Sequence, residues 1–207
     1  MLSLISTRLA LMSDNARLAP YSPLEPTAAM FEIKPINPET YRQQTRRITF
    51  AIAGCFIVLA LLLSALSVQV FGTPGGDNFR WNLAGVVAGL LLTVAVVRLQ
   101  LWSRPWMAPA VYGWQLKRSL MRVTNVMHHV KSGVATGDPT AMKLLRFYHL
   151  GVTQMHQLDG NSSDLSQMVR EIDAHLEAME AQGLDTEQNR LEAEWLDTVK
   201  RFATSQK

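Results

Sequence analysis

ITFAIAGCFIVLALLLSALSVQVF, residues 48–71, is the stretch on which the reading of this chain turns. It holds no Asp, Glu, Lys, Arg or His, and the charge-free run continues to Gly76. As a helix rising 1.5 Å per residue it covers roughly 36 Å, enough to cross a hydrocarbon layer of about 30 Å with some tilt. A second charge-free run, WNLAGVVAGLLLTVAVV, occupies residues 81–97. Alone it covers only about 26 Å, so the second span extends to Trp102, with Arg98 snorkelling to the interface. Thr73-Pro74-Gly75-Gly76-Asp77-Asn78 between them is a dense turn signal. The expectation is a transmembrane hairpin of helices 48–71 and 81–102 joined by a loop at 72–80, which rules out a wholly soluble enzyme. The lone cysteine, Cys55, excludes a disulfide scaffold.

The flanks orient the hairpin. Arg42, Arg46 and Arg47 precede the first span, and Arg98, Arg104, Lys117, Arg118 and Arg122 follow the second. The connecting loop holds only Asp77 and Arg80. The positive-inside rule therefore places both termini in the cytoplasm and the loop outside, as in a bacterial inner membrane. Phe71, Phe79 and Trp81 mark one interface, and Trp102 and Trp106 the other. Asn37-Pro38-Glu39 reads as a helix start, Asn37 capping and Pro38 at the first helical position, within a cytoplasmic segment 30–47. Residues 1–29, with Pro20, Pro23 and Pro26 and no sustained periodicity, read as a disordered tail or as a start placed too early, with Met30 first.

Residues 105–207 read as an all-α cytoplasmic domain, a helical bundle or coiled-coil-like unit of about four helices. Leu116, Leu120, Val123, Met127, Val130 and Val134 alternate in steps of four and three, a heptad seam on one helix over 107–136. Gly137 stops it, and Asp138-Pro139 starts a second helix, 139–158. Leu165, Val169, Ile172, Leu176 and Met179 stripe a third, over 164–182, and Asp185 with Gln188 reads as the cap of a fourth. No segment alternates polar and apolar as a strand does. Charge is segregated: residues 105–158 carry six Lys/Arg against Asp138 alone, and residues 159–207 five against eleven Asp/Glu. The acidic half is expected to fold back on the basic half or to face a basic partner.

Signals for chemistry are weak. His149 and His156 lie seven apart on one helix face with Asp159 beyond, a spacing of roughly 10 Å that one metal ion cannot bridge. No nucleophile elbow, phosphate loop or dinucleotide fingerprint is present. The expectation is a protein that is not an enzyme, with no cofactor and no metal. Basic residues and tryptophans between Arg98 and Arg146 suit a membrane-exit helix better than nucleic acid. In the second span Gly85 and Gly89 form a G-x-x-x-G, suited to close packing against the small residues Ala60 and Ser64 of the first span, or to dimerisation.

KPINPETYRQQTRR, GDNFRWNLAGVV, VYGWQLKRSL and GDPTAMKLLRFYHLGVTQMHQLDGN, in this order and spacing, resemble a proteobacterial family of short two-pass inner-membrane proteins, domain of unknown function 3087. The resemblance covers about Met30–Asn161 closely and the acidic helices loosely. It implies an inner-membrane location and supplies no activity. The expected function is a membrane hairpin that presents a helical protein-interaction or self-assembly domain, its association seam being Leu116, Leu120, Val123, Met127 and Val130. The partners are then the lipid bilayer and a protein or a second copy, with no nucleic acid. The alternative is an oligomeric pore or an accessory subunit of a transport complex, built through Gly85 and Gly89. The least favoured is a metal or haem protein using His149 and His156.

Overall fold

The computed structural model describes residues 29–161 and 165–202, and these are nearly all helical. The sequence expectation for residues 1–28 lies outside the described residues. A short strand β1 (Ala29–Glu32) leads into helix α1 (Pro38–Phe71), and a tight turn returns the chain as α2 (Phe79–Val96). A π-helical turn (Val97–Leu101) and a 3-10 turn (Pro105–Met107) then bend the chain into α3 (Ala108–Thr124). Helices α4 (Met127–Ala135), α5 (Pro139–Asp159) and α6 (Leu165–Ala181) follow, then strand β2 (Arg190–Glu192) and helix α7 (Ala193–Phe202).

Helix α1 begins where its sequence says. Asn37 Oδ1 accepts from the backbone N–H of Glu39 at 2.9 Å and of Thr40 at 3.1 Å, and Pro38 fills the first helical position. The helix then runs unbroken from a polar, arginine-rich end into the apolar stretch. At the hairpin tip the Asn78 side chain ties back to Thr73, accepting from its N–H at 2.9 Å and donating to its carbonyl at 3.1 Å. Gly75 there has φ +74°, a left-handed conformation that a side chain would strain. The two apolar helices pack on each other and leave the rest of their surface bare: Leu61, Leu62, Leu66, Leu83 and Leu91 are all exposed. Both helices, Pro38–Phe71 and Phe79–Leu101, are long and apolar enough to cross a membrane.

The remaining helices enclose a core of Leu116, Leu120 and Val123 from α3, Val130 from α4, Leu144, Phe147 and Leu158 from α5, and Leu196 and Val199 from α7. Phe31 and Tyr41, which precede the apolar stretch in the chain, belong to the same core. The segment before the hairpin and the domain after it are therefore one folded body.

Four details depart from the sequence reading. A two-stranded antiparallel sheet exists: Phe31 pairs with Leu191 and Glu32 with Arg190, with a bulge between Ala29 and Phe31. Strands of four and three residues are too short to show a period of two. The helix expected over 107–136 is broken, because α3 ends at Thr124 and α4 begins at Met127, with Asn125 and Val126 between them. On α6 His175 and Met179 are buried and Met168, Ile172 and Leu176 half-buried, while Val169 of the expected stripe is 44% exposed and the Leu165 side chain lies outside the described residues. Asp185 closes a local turn, accepting from Glu187 N–H at 2.9 Å, and the last helix starts only at Ala193. The acidic half does fold back on the basic half, with α6 and α7 both packed on α5.

Candidate functional site

The feature with the most chemistry is the base of the hairpin, where the two apolar helices meet the folded body. Sequence builds it in steps. Phe31 stacks at 5.5 Å on Tyr112, and the Lys34 backbone is held from both sides: its N–H donates to Tyr112 Oη at 3.1 Å and its carbonyl accepts from Gln154 Nε2 at 2.6 Å. Tyr112 Oη in turn donates to Gln154 Oε1. Three residues far apart in sequence thereby fix the entry into α1.

One helical turn later Tyr41 lies against α3 at Gly113. A Cβ on Gly113 would stand 2.0 Å from the Tyr41 hydroxyl, so only glycine admits the ring. Burial raises the pKa of both phenols, with Asp159 adding to the effect at Tyr41. Arg42 donates to the Gln157 carbonyl at 3.2 Å, and Lys117 in the middle of α3 pairs at 3.1 Å with Asp159 at the end of α5. That ion pair is half-exposed and contributes at most about 1 kcal/mol.

The second span is anchored differently. The Arg98 guanidinium lies 4.5 Å from the Trp102 ring centroid and 5.8 Å from that of Trp114, and Arg118 covers Trp114 at 5.0 Å. The two indoles meet edge to face at 5.2 Å. This stack of cations and rings joins the π-helical turn to α3. Between the two anchors lies a cleft of about 560 Å³ walled by Lys34, Tyr41, Gln44, Trp102, Arg104 and Tyr112 among others.

The residues singled out from sequence occupy other places. Leu116, Leu120, Val123 and Val130 are at most 5% exposed in the chain's own core, and Met127 packs beside them. The seam is thus filled from within: Leu120 and Leu116 press on Gly151 of α5, and the break at Asn125 ends any continuous stripe that a second helix could follow. Gly85 and Gly89 are turned toward α1. A Cβ on them would stand 2.3 Å from Ser64 Cα and 2.8 Å from Ala60 Cα. Ser64 Oγ donates to Asn82 Oδ1 at 2.9 Å beside them. The glycine face is therefore occupied by the chain's own first span.

His149 and His156 are not brought together. His156 Nδ1 sits 3.0 Å from the Asn161 carbonyl near the end of α5, while His149 is 4% exposed with its ring 5.3 Å from that of His175. His175 Nε2 lies 3.0 Å from the Met142 carbonyl, whereas His149 Nδ1 is buried without a hydrogen-bond partner. Burial lowers the His149 pKa to about 4, and His175, Arg146 and Lys131 push it the same way. Among the described residues no group of three or more His, Cys, Asp or Glu could hold a metal. Sequence reasoning missed the His149–His175 pair and the Tyr41–Gly113 contact, because both join separate helices. A glycine inside an otherwise well-formed helix was the available signal for the second.

Fold and site together define a two-helix apolar hairpin whose base is locked into a compact helical body. The chain belongs to the family described as "Protein of unknown function (DUF3087)", whose model matches residues 31–196. The match takes in both hairpin helices, the second half of β1 and all of β2, and reaches beyond Asn161 into the last helix. No curated protein and no solved structure matches the chain.

Proposed function

We propose that the protein is a two-pass bacterial inner-membrane protein with both termini cytoplasmic, that it is not an enzyme, and that its helical body is an interaction module held rigidly at the membrane surface. The observation that carries this reading is the shared core. Phe31 and Tyr41 on one side of the hairpin pack with Tyr112, Leu116 and Leu191 on the other. A body so clamped cannot swing away from the hairpin, and the arginines at positions 42, 46, 47, 98 and 104 gather where it is attached. That distribution supports a cytoplasmic base under the positive-inside rule.

The internal heptad residues are consumed in the core, so the surface offered to a partner lies elsewhere. The outer side of α6 carries Asp173, Glu177 and Glu180, all exposed and none in an ion pair among the described residues. Such a face suits a basic protein segment, by complementarity that governs encounter rate and specificity. The pore alternative loses the face on which it rested, since Ala60 and Ser64 already cover Gly85 and Gly89.

Two experiments test the reading. Reporter fusions active only in the periplasm should be silent at the C-terminus and active when inserted at Gly75–Gly76; the reverse pattern would overturn the orientation. For the module, affinity capture in mild detergent should recover a partner in comparable amount that is lost when Asp173, Glu177 and Glu180 are replaced by Lys. A partner retained by that triple variant would refute the assignment of the α6 face.

A further inference from the structure

Three hollows adjoin at the base of the hairpin, and together they have the shape and charge of a lipid site. The cleft of about 560 Å³ carries Lys34 and Arg104. A second of about 470 Å³ shares Gln44 and Pro105 with it and carries Arg47 beside Ile48 and Trp106. A third, of about 440 Å³, opens between Ile52–Phe56 of the first span and Leu90–Arg98 of the second, and its exposed lining is wholly apolar. Trp102 lines both this slot and the polar cleft. Its position there follows directly on the π-helical turn Val97–Leu101, a widening of the helix that is rare and concentrated at functional sites.

Every charged side chain lining the three hollows is a cation: Lys34, Arg47, Arg98 and Arg104. None of the four pairs with a carboxylate among the described residues, although Asp159 and Glu32 nearby are matched to other partners. Arg98 is engaged by indole rings, which leaves Lys34 and Arg104 unmatched in the first cleft and Arg47 unmatched in the hollow that adjoins it at Gln44 and Pro105. Unpaired cations spread over separate elements repel one another, and an anion placed among them removes that repulsion. The uncharged groups Thr40, Gln44 and Gln115 line the same cleft and can donate hydrogen bonds to phosphate oxygens.

We propose that this composite cavity binds one anionic phospholipid of the cytoplasmic leaflet. Its phosphate sits among Lys34, Arg47 and Arg104, and an acyl chain lies past Trp102 in the apolar slot. The adjoining slot favours a lipid over a free phosphate, because only a lipid carries an acyl chain that can occupy the apolar slot while its headgroup meets the cations beside it. The inference rests on the membrane reading above.

The test uses the full chain, purified in mild neutral detergent and stripped of lipid. Native mass spectrometry with phosphatidylglycerol or phosphatidylcholine at equal concentration should show one phosphatidylglycerol retained per chain, at least tenfold more tightly than phosphatidylcholine. Lys34→Glu with Arg104→Glu should lose at least tenfold, and the neutral pair Lys34→Gln with Arg104→Gln a smaller part. The control Lys131→Glu with Arg170→Glu, which changes net charge equally on exposed sites away from the cleft, should leave retention unchanged. Equal loss in the control, or equal retention of both lipids, would overturn the site, as would displacement of the lipid by millimolar glycerol phosphate. Alkaline carbonate washing of cell membranes separates the two levels: a protein that stays in the membrane yet shows no lipid selectivity sinks only the cleft, and a protein that washes out sinks the membrane reading with it.

Discussion

Acidifying the purified protein from pH 7.5 to 5 should destabilise the helical body through His149. The ring is 4% exposed, its Nδ1 has no hydrogen-bond partner, and the charges nearest to it are those of Arg146 and Lys131, both positive. Its pKa accordingly falls from 6.5 to about 4. In the unfolded chain the ring takes up a proton near pH 6.5, and in the folded chain it does so only near pH 4, so between these values the unfolded state binds more protons. Stability from this group is fully present above pH 6.5 and is lost as pH falls toward 4. The full loss is about 3 kcal/mol, of which about 1.4 kcal/mol is gone by pH 5.5 and about 2 kcal/mol by pH 5. His175, also lowered by burial, adds in the same direction. Urea unfolding in detergent, followed by near-UV circular dichroism at pH 7.5, 6.5, 5.5 and 5, measures the slope before most carboxylates titrate. His149→Phe, which keeps a ring in the site and cannot be protonated, should flatten it by more than half. An unchanged slope in His149→Phe, or a wild-type stability constant over this range, would refute the reasoning.

Other perturbations follow from the packing. Gly113→Ala places a methyl on the Tyr41 hydroxyl and should cost about 1–3 kcal/mol, and adding Tyr41→Phe should recover part of it; additive losses in the double-mutant cycle would show that the contact is not made. Gly85→Leu drives a side chain into the Ser64 backbone, so the hairpin helices must separate, read as lost disulfide formation between cysteines placed on facing positions of α1 and α2 with Cys55 removed. Phe147→Ala, at a site with 0% exposure, should cost about 3–5 kcal/mol in urea unfolding, against less than about 0.5 kcal/mol for the exposed Glu177→Ala. Asp138→Ala removes the acceptor of the 2.8 Å bond from Ala141 N–H and should cost about 1 kcal/mol by the same measurement.

What the sequence alone determined is what local chemistry dictates. The absence of charge from Ile48 to Gly76 and from Trp81 to Val97 set two long apolar helices, because nothing else satisfies their backbone without water. Asn37-Pro38 and Asp138-Pro139 set two helix starts to the residue, since cap and first-turn preferences act within three residues. Gly137 was legible as a stop for the same reason; it has positive φ, as do Gly160 and Gly183 after the next two helices. The family was also readable from strings in their order and spacing over about Met30–Asn161, and the match extends it to residue 196.

Tertiary structure decided the rest, wherever the deciding partner is distant in the chain. The heptad residues Leu116, Leu120, Val123 and Val130 read equally well as an outward seam or an inward one, because periodicity gives the face and not its occupant; α5 and α7 occupy it. The pairing of Phe31 with Leu191 has no local signature, being made by strands of four and three residues held by a core that forms only when the ends of the domain meet. The same holds at the hairpin base. Lys34, Arg47, Arg98 and Arg104 appear in sequence as charge flanking two separate helices, and only the packing of Tyr41 on Gly113 and the stacking of Arg98 on Trp102 bring them to the lining of adjoining hollows.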